Sequence, residues 1–303
     1  MAIISTGSFS KALWPGVNAW YGKAYDEYAV EWTDLFDQFT SRKAFEEDVG
    51  VSSFGLAQVK PEGSAVAYDT EVQGFITRYT HIAYALGFIV TKEAFEDDQY
   101  DVVAQRRARG LAMAMRQTKE NVAANIYNRA FNASYTYGDG SALLVSNHKN
   151  VAGGTYANIP SVTSNISEAA FEQAVIDIAR FKNDRGLLIQ IMPRSIIIPP
   201  ELMFEMERIL KSQYRVGTPN NDISALVSMG KFPEGMKVNH YLTSTTAWFV
   251  RTNAPDGMKY FERTAEKFTE DNDWDTENAK FKAMARYSFG NTDPRALYGS
   301  AGV

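Results

Sequence analysis

The chain has 303 residues, 45% hydrophobic and 13% aromatic, enough for a sizeable core in one large domain or two and too apolar for a disordered chain. A formal net charge of −5 lacks the basic footprint of a protein whose main task is gripping nucleic acid. The absence of cysteine excludes disulfides, thiolate zinc sites and cysteine nucleophiles together.

The opening MAIISTGSFSKALWPGV has no basic segment followed by a long apolar core, so it is not read as a signal peptide. Apolar runs such as Ile196–Pro200 are too short to span a bilayer, and the expectation is a soluble protein made inside the cell. Trp14-Pro15-Gly16 is a turn signal. Tyr25, Tyr28, Trp32, Phe36 and Phe39 then follow at steps of three and four, the spacing of one helical face. That face needs a partner, either the chain's own core or a neighbouring subunit.

Lys60-Pro61-Glu62-Gly63-Ser64 is a strong turn, and Ala65–Asp69 with Phe75–Thr80 read as the arms of an extended hairpin. Ile82, Tyr84, Leu86, Phe88 and Val90 alternate as one apolar face of a strand. Mixed faces and an exposed edge without a core of its own predict a covering partner.

The stretch Asp98–Asn132 predicts one long helix. Ala104, Ala108, Leu111, Met115, Thr118, Val122 and Ile126 form its seam, and no proline occurs from Glu62 to Ile159. Aspartates 97, 98 and 101 suit its positive end. Without leucine heptads it reads as a spine with sheet packed along one side.

Tyr135–Asn158 is a hairpin or long loop, and Ser167 caps a helix over Glu168–Asn183. Short strands at Leu187–Met192 and Ser195–Ile198, a helix at Glu201–Ser212, and extended stretches at Lys237–Leu242 and Ala247–Thr252 make a compact α+β block. Met258–Arg263 and Lys280–Phe289 return to strand alternation around an acidic bend, Asp271–Asn278.

No catalytic constellation emerges. There is no GxxxxGK[ST] or GxSxG, and Gly138-Asp139-Gly140 fails as a dinucleotide loop at Leu143. His81, His148 and His240 are far apart and read as ordinary structural or surface histidines. Asp271, Asp273 and Asp275 imitate the start of a calcium loop, but Thr276 and Lys282 stand where glycine and glutamate are needed; a solvated acidic turn and an adventitious divalent-ion site both stay open. Arg106, Arg107, Arg109 and Arg116 suit salt bridges on a helix, with phosphate contact as the alternative. The expectation is a non-enzyme with no cofactor and no metal.

With these parts in order, the sequence resembles the tailed-bacteriophage major capsid proteins, specifically the Mu-like major head subunit family. The residues that carry the resemblance are Lys60-Pro61-Glu62-Gly63, Gln73-Gly74-Phe75, Arg78-Tyr79-Thr80-His81, the run Gly87–Glu93 and Glu96-Asp97-Asp98. Arg185-Gly186-Leu187, Ile198-Pro199-Pro200-Glu201-Leu202, Ile209-Leu210-Lys211-Ser212, Asn220-Asn221-Asp222-Ile223, Tyr241-Leu242-Thr243 and Ala247-Trp248-Phe249 continue it. It covers roughly residues 8–250, and its strength is the order of many weak motifs.

The resemblance implies an α+β, Hong Kong 97-like capsid fold. Residues 1–45 would be an N-terminal arm and 46–91 an extended loop. Residues 92–161 and 252–303 would form a peripheral domain with spine helix 98–132, and 162–251 an axial domain. It implies a structural subunit that self-assembles as hexamers and pentamers of an icosahedral or prolate shell. That shell encloses double-stranded DNA without sequence-specific binding and without a membrane. Partners would be a separate scaffolding protein, a portal and a decoration protein, and the place of action the virion, assembled in the bacterial cytoplasm. The chain begins directly with the arm, so either the scaffold is separate or the sequence is already mature. The alternatives are an encapsulin-like compartment and, remotely, a soluble metal-dependent enzyme. With arm and loop laid across neighbours, the candidate subunit-interface residues are Trp14, Trp20, Tyr25, Trp32, Lys60, Glu62, Arg78, Tyr79, Arg106 and Arg107. Deleting about Gln58 to Gln73 is expected to leave a folded subunit that cannot complete shells.

Overall fold

The computed structural model describes residues 10–27, 29–52, 54–93, 100–214, 223–272 and 278–303, without the side chains of 10–18, 100–103 and 272. Glu96-Asp97-Asp98, Asn220-Asn221-Asp222 and the calcium-like aspartates Asp273 and Asp275 lie outside the described residues.

The chain opens with helix α1 (Ser10–Glu27), which runs through Trp14-Pro15-Gly16 instead of turning there. The expected aromatic helix face from Tyr25 to Phe39 is not formed. Trp32–Asp34 is a single 3-10 turn, and Asp37–Thr40 is strand β1. A carboxylate from elsewhere in the chain, that of Glu120, takes up the Glu31 and Trp32 amides and fixes this turn. Tertiary contact overrides the local period.

Strands β2 (Phe45–Val51) and β3 (Gln73–Thr80) pair antiparallel, with Phe45 opposite Thr80 and Val49 opposite Ile76. The expected partner of β3, Ala65–Asp69, carries no strand and lies in the loop between them. That loop closes at its base, where the Ser52 amide donates to the Val72 carbonyl. It turns at Pro61–Ser64, where Gly63 takes φ 79° and the Ser64 amide donates to the Pro61 carbonyl.

Strand β4 (Ile82–Val90) leads to α2 (Tyr100–Asn128), 29 residues and roughly 44 Å long at about 1.5 Å per residue. Its N-terminal half buries Ala104, Ala108, Leu111, Ala112 and Met115, as the seam predicts. Farther on, the buried residues are Glu120, Ala123, Ala124 and Tyr127, while Thr118, Val122 and Ile126 are half-buried. At about 100° per residue the packed face turns by roughly a third of a circle. The reason is a change of partner: α2 packs on β4 and β11 (Ala279–Asn291), and farther on Tyr127 meets Phe36 and Phe249.

Two four-stranded sheets flank this helix. The first has the order β1, β10 (Met258–Asn272), β11, β4, with β1 parallel to β10 and the other pairs antiparallel. Its inner face, with Tyr260, Phe268, Phe281, Tyr287 and Phe289, packs under α2 and α1. Between α2 and the second unit the chain makes a two-stranded ribbon, β5 (His148–Lys149) with β6 (Thr155–Tyr156).

The second sheet follows α3 (Glu168–Ala179), whose Ser167 cap accepts the Ala170 amide at 3.2 Å. Leu187–Met192 forms no strand; Leu188 makes one isolated bridge to Lys182. Strand β7 (Pro193–Ile198), α4 (Met203–Lys211), α5 (Ala225–Met229), β8 (Met236–Val238) and β9 (Trp248–Thr252) complete the block. The last strand, β12 (Leu297–Ser300), pairs with β9, giving the order β12, β9, β7, β8. The C-terminal segment therefore crosses from the first sheet into the second. Phe171, Ile178, Met206, Trp248 and Val250 form the core of this block.

Candidate assembly surfaces

The segment from Tyr25 to Trp32 is fastened to α2 by polar groups that periodicity does not reveal. Glu120, on the packed face of α2, is fully buried and accepts the Trp32 amide at 2.9 Å and the Glu31 amide at 3.1 Å. Burial raises its pKa against the opposing pull of those two amides. Lys119 places its ammonium 4.3 Å from the Trp32 ring centre and 4.6 Å from that of Tyr260. Burial lowers its pKa to about 8. One turn earlier, Arg116 lies 3.9 Å over the Tyr25 ring and donates to the Tyr25 carbonyl at 3.0 Å.

The β2–β3 hairpin is pinned by a second cluster. Lys259, on β10, donates to Asp48 at 2.6 Å and to Asp256 at 2.7 Å. Thr292 donates to the same Asp48 oxygen, so Tyr79 is the donor in its 2.6 Å bond to Thr292. At the end of the hairpin, His81 stands between Ser288 and Ser41, and Ser41 donates onward to Glu46 at 2.7 Å.

A third cluster joins the ribbon to the C-terminal segment. His148 is fully buried, 2.6 Å from Asp139, with its other ring nitrogen 3.2 Å from the Leu143 carbonyl. Its ring stacks on Tyr156, which lies beneath the Arg295 guanidinium.

These clusters decide which candidate interface residues remain available. Trp32 is 5% exposed and Tyr79 3%, both in the chain's own core, so neither side chain is left for a neighbour. Trp20 and Tyr25 are half-buried against the same core. The Trp14 side chain lies outside the described residues. Arg78 stacks over Phe45, and Arg107 caps the Ile89 carbonyl at 2.6 Å. Lys60, Glu62 and Arg106 are exposed.

Exposed apolar side chains accompany Lys60 and Glu62 on the same loop. The loop between β2 and β3 presents Phe54, Leu56, Val59, Val66 and Tyr68 to solvent, with Val59 and Tyr68 each 94% exposed. In the second unit, Phe204, Ile223 and Met229 are exposed. Isolated apolar side chains on a surface are ordinary; here five of them share one loop, which makes it the candidate contact surface. Sequence reading named Lys60 and Glu62 at the turn of this loop as interface residues and took Ala65–Asp69 as a hairpin arm, which carries no strand.

Comparison with solved structures shows how widely this architecture recurs. The chain superposes on the virus-like particle from Pyrococcus furiosus with TM-score 0.53 and 12% identity, over 94% of this chain and 98% of that one. It superposes on the capsid of the native GTA particle with TM-score 0.53 and 12% identity, over 89% of each chain. For Microbacterium phage Oxtober96 the TM-score is 0.53 at 8% identity, over 91% of this chain and 92% of that one. At such identities the likeness shows the fold, which is the Hong Kong 97-like capsid fold. No curated protein matches the chain in sequence. The family model described as phage capsid protein matches residues 75–300, well over half of the chain, and the chain belongs to that family.

Proposed function

We propose that this chain is the major head subunit of a phage, assembling as hexamers and pentamers of a closed shell around double-stranded DNA. The observation that carries the proposal is the projecting loop with its exposed Leu56, Val59 and Tyr68, on a body whose fold and family are those of capsid subunits. Such a loop gains a buried face only against another molecule. Repeated heterologous contacts that close on themselves give rings and shells. Each contact is modest, and linkage of many multiplies their strength.

The division of labour proposed is an arm over 1–45, an extended loop over 46–91, a peripheral domain over 92–161 and 252–303, and an axial domain over 162–251. Pairing of β12 with β9 supports adding residues 297–300 to the axial unit. The acidic balance supports a wall that encloses DNA without holding it. The ordered motifs from Lys60 to Phe249 support the Mu-like branch, with a scaffolding protein, portal and decoration protein as partners and assembly in the host cytoplasm. The role is structural, not enzymatic. The polar groups gathered inside the body serve as tethers: Glu120, Asp48 and His148 are each engaged within the fold.

Negative-stain electron microscopy of the purified chain, with its mass in solution, tests the proposal. Closed shells, tubes or regular sheets of capsomers are expected. A monomer at every concentration, unchanged by a co-expressed scaffolding protein, would refute it. A second reading, a compartment enclosing cargo enzymes, draws on the likeness to the Pyrococcus furiosus particle. Shells that copurify with an enzyme instead of packaging DNA would favour it.

A further inference from the structure

The loop over residues 54–72 is long for a segment without strand or helix, and its apolar side chains face solvent. Between the base and the turn, contacts gather at Asp69. One carboxylate oxygen accepts the Gly55 amide at 2.7 Å and the Arg185 guanidinium at 2.6 Å; the other accepts the Thr70 amide at 2.8 Å. Arg185 also donates to the Thr70 carbonyl. The fork therefore grips both a side chain and the backbone of the returning limb of the loop.

Arg185 comes from the other unit of the chain, on the turn after α3, and that turn is built firmly. Asn183 accepts the amides of Arg185 and Leu187 at 3.0 and 2.9 Å, and Gly186 takes φ 79°. The neighbouring Asp184 accepts from Arg295 at 3.1 Å, and Arg295 is nearly buried against Tyr156. A side chain at position 55 would press on both partners, since a Cβ there falls 3.2 Å from the Asp69 carboxylate and 3.3 Å from Arg185.

We propose that Arg185 is a positioning residue for assembly: by clasping Asp69 and Thr70 it fixes the direction in which the loop presents Leu56, Val59 and Tyr68 to a second copy of this chain. The proposal rests on the reading of the chain as a shell subunit. Both side chains are partly exposed, and exposed ion pairs add little to global stability. A pair of this class biases a local equilibrium by about fivefold at most. That is too little to hold the fold together and enough to select among orientations of a loop. Many subunits must present their loops alike, so a small bias in each is compounded on closing a shell.

The test compares wild type, Arg185→Gln, Asp69→Asn and the double variant by amide hydrogen exchange on the unassembled chain, by thermal melting, and by shell yield in sedimentation. Arg185→Gln is expected to raise exchange at Gly55 and Thr70 by about fivefold. It should leave β2–β3 protection and the melting midpoint unchanged and lower the shell yield. The double variant should exchange no faster than the worse single variant, and Arg185→Lys, which keeps the charge and loses the fork, should fall between. Unchanged exchange in 54–72, or a shell yield equal to wild type, overturns the clasp. So does a loss of protection spread over the whole chain, which would mark a merely structural role. If the wild-type chain itself forms no shells, the functional reading fails and takes the assembly role with it. Normal assembly of Arg185→Gln beside a competent wild type removes the clasp alone.

Discussion

The Glu120 carboxylate on α2 lies 2.9 Å from the Trp32 amide, and this bond ties the turn that follows α1 to the long helix. It takes the place of an N-terminal cap: the amides of Glu31 and Trp32, unsatisfied at the start of a 3-10 turn, find their acceptor on a helix 88 residues away for the second of them. Replacing Glu120 with alanine strands buried donors and should cost about 3 kcal/mol in urea unfolding. Glutamine keeps one acceptor and should cost about 1 kcal/mol. Equal losses for the two variants would mean that packing, rather than the bond, holds the turn.

Glu266 gives a pH dependence of definite sign. It sits in the irregular stretch of β10, between the register shifts around Thr264 and Lys267, and its Oε1 is buried with no hydrogen-bond partner. Burial raises its pKa to about 8. The folded state therefore holds a proton that the unfolded chain releases near its ordinary value of 4.5. The resulting stabilisation is complete below that value and is lost as pH rises to about 8. Glu266→Gln should remove this slope and be the more stable chain at pH 8. Parallel stability-against-pH curves for the two proteins would contradict the assignment.

Lys259 tests how the hairpin is held. Its ammonium is buried between Asp48 and Asp256, and Lys259→Met leaves Asp48 with Thr292 alone as a donor on that oxygen. A loss of about 2–4 kcal/mol is expected, with faster amide exchange along β2 and β3. Asp256 is largely exposed, so Asp256→Gly should change stability by less than about 1 kcal/mol; glycine also suits its φ of 56°. The reverse ranking would show that the turn, rather than the pair with Asp48, anchors β10.

The parts legible in sequence are those fixed by local chemistry. The first half of α2 was written in Ala104, Ala108, Leu111 and Met115, and α3 in its Ser167 cap. Alternation marked β4, though Ile82 and Leu86 of its expected inner face are exposed because β4 is an edge strand. What was illegible depends on distant partners. Trp32, Phe36 and Phe39 keep helical spacing, yet they belong to a turn, its exit and a strand because Glu120 and β10 capture that segment. Nothing near Phe45–Val51 announces that it pairs with Gln73–Thr80 across an intervening loop. Nothing in the helical period singles out Glu120, whose burial follows from the turn of the packed face along α2.

The loop is the part whose removal separates folding from assembly. Gln73 belongs to β3 opposite Val51, and Val72 bonds twice to Ser52, so excision from Gln58 to Gln73 would cut into the ladder. The clean cut lies between Gly55 and Asp69, whose amide and carboxylate are already 2.7 Å apart. Replacing residues 56–68 with a short Gly-Ser linker removes exposed apolar side chains that contribute nothing to the chain's own core, so the melting midpoint should move by no more than about 3 °C. Each covered square ångström of such surface is worth about 25 cal/mol, and every subunit of a shell would lose its share at once. The shortened chain should therefore remain folded, with β2–β3 intact by amide exchange, and stop at monomers or isolated capsomers in sedimentation and electron microscopy. Complete shells from this variant would show that closure depends on the arm and on the exposed apolar residues of the second unit, such as Phe204 and Met229, and not on the loop.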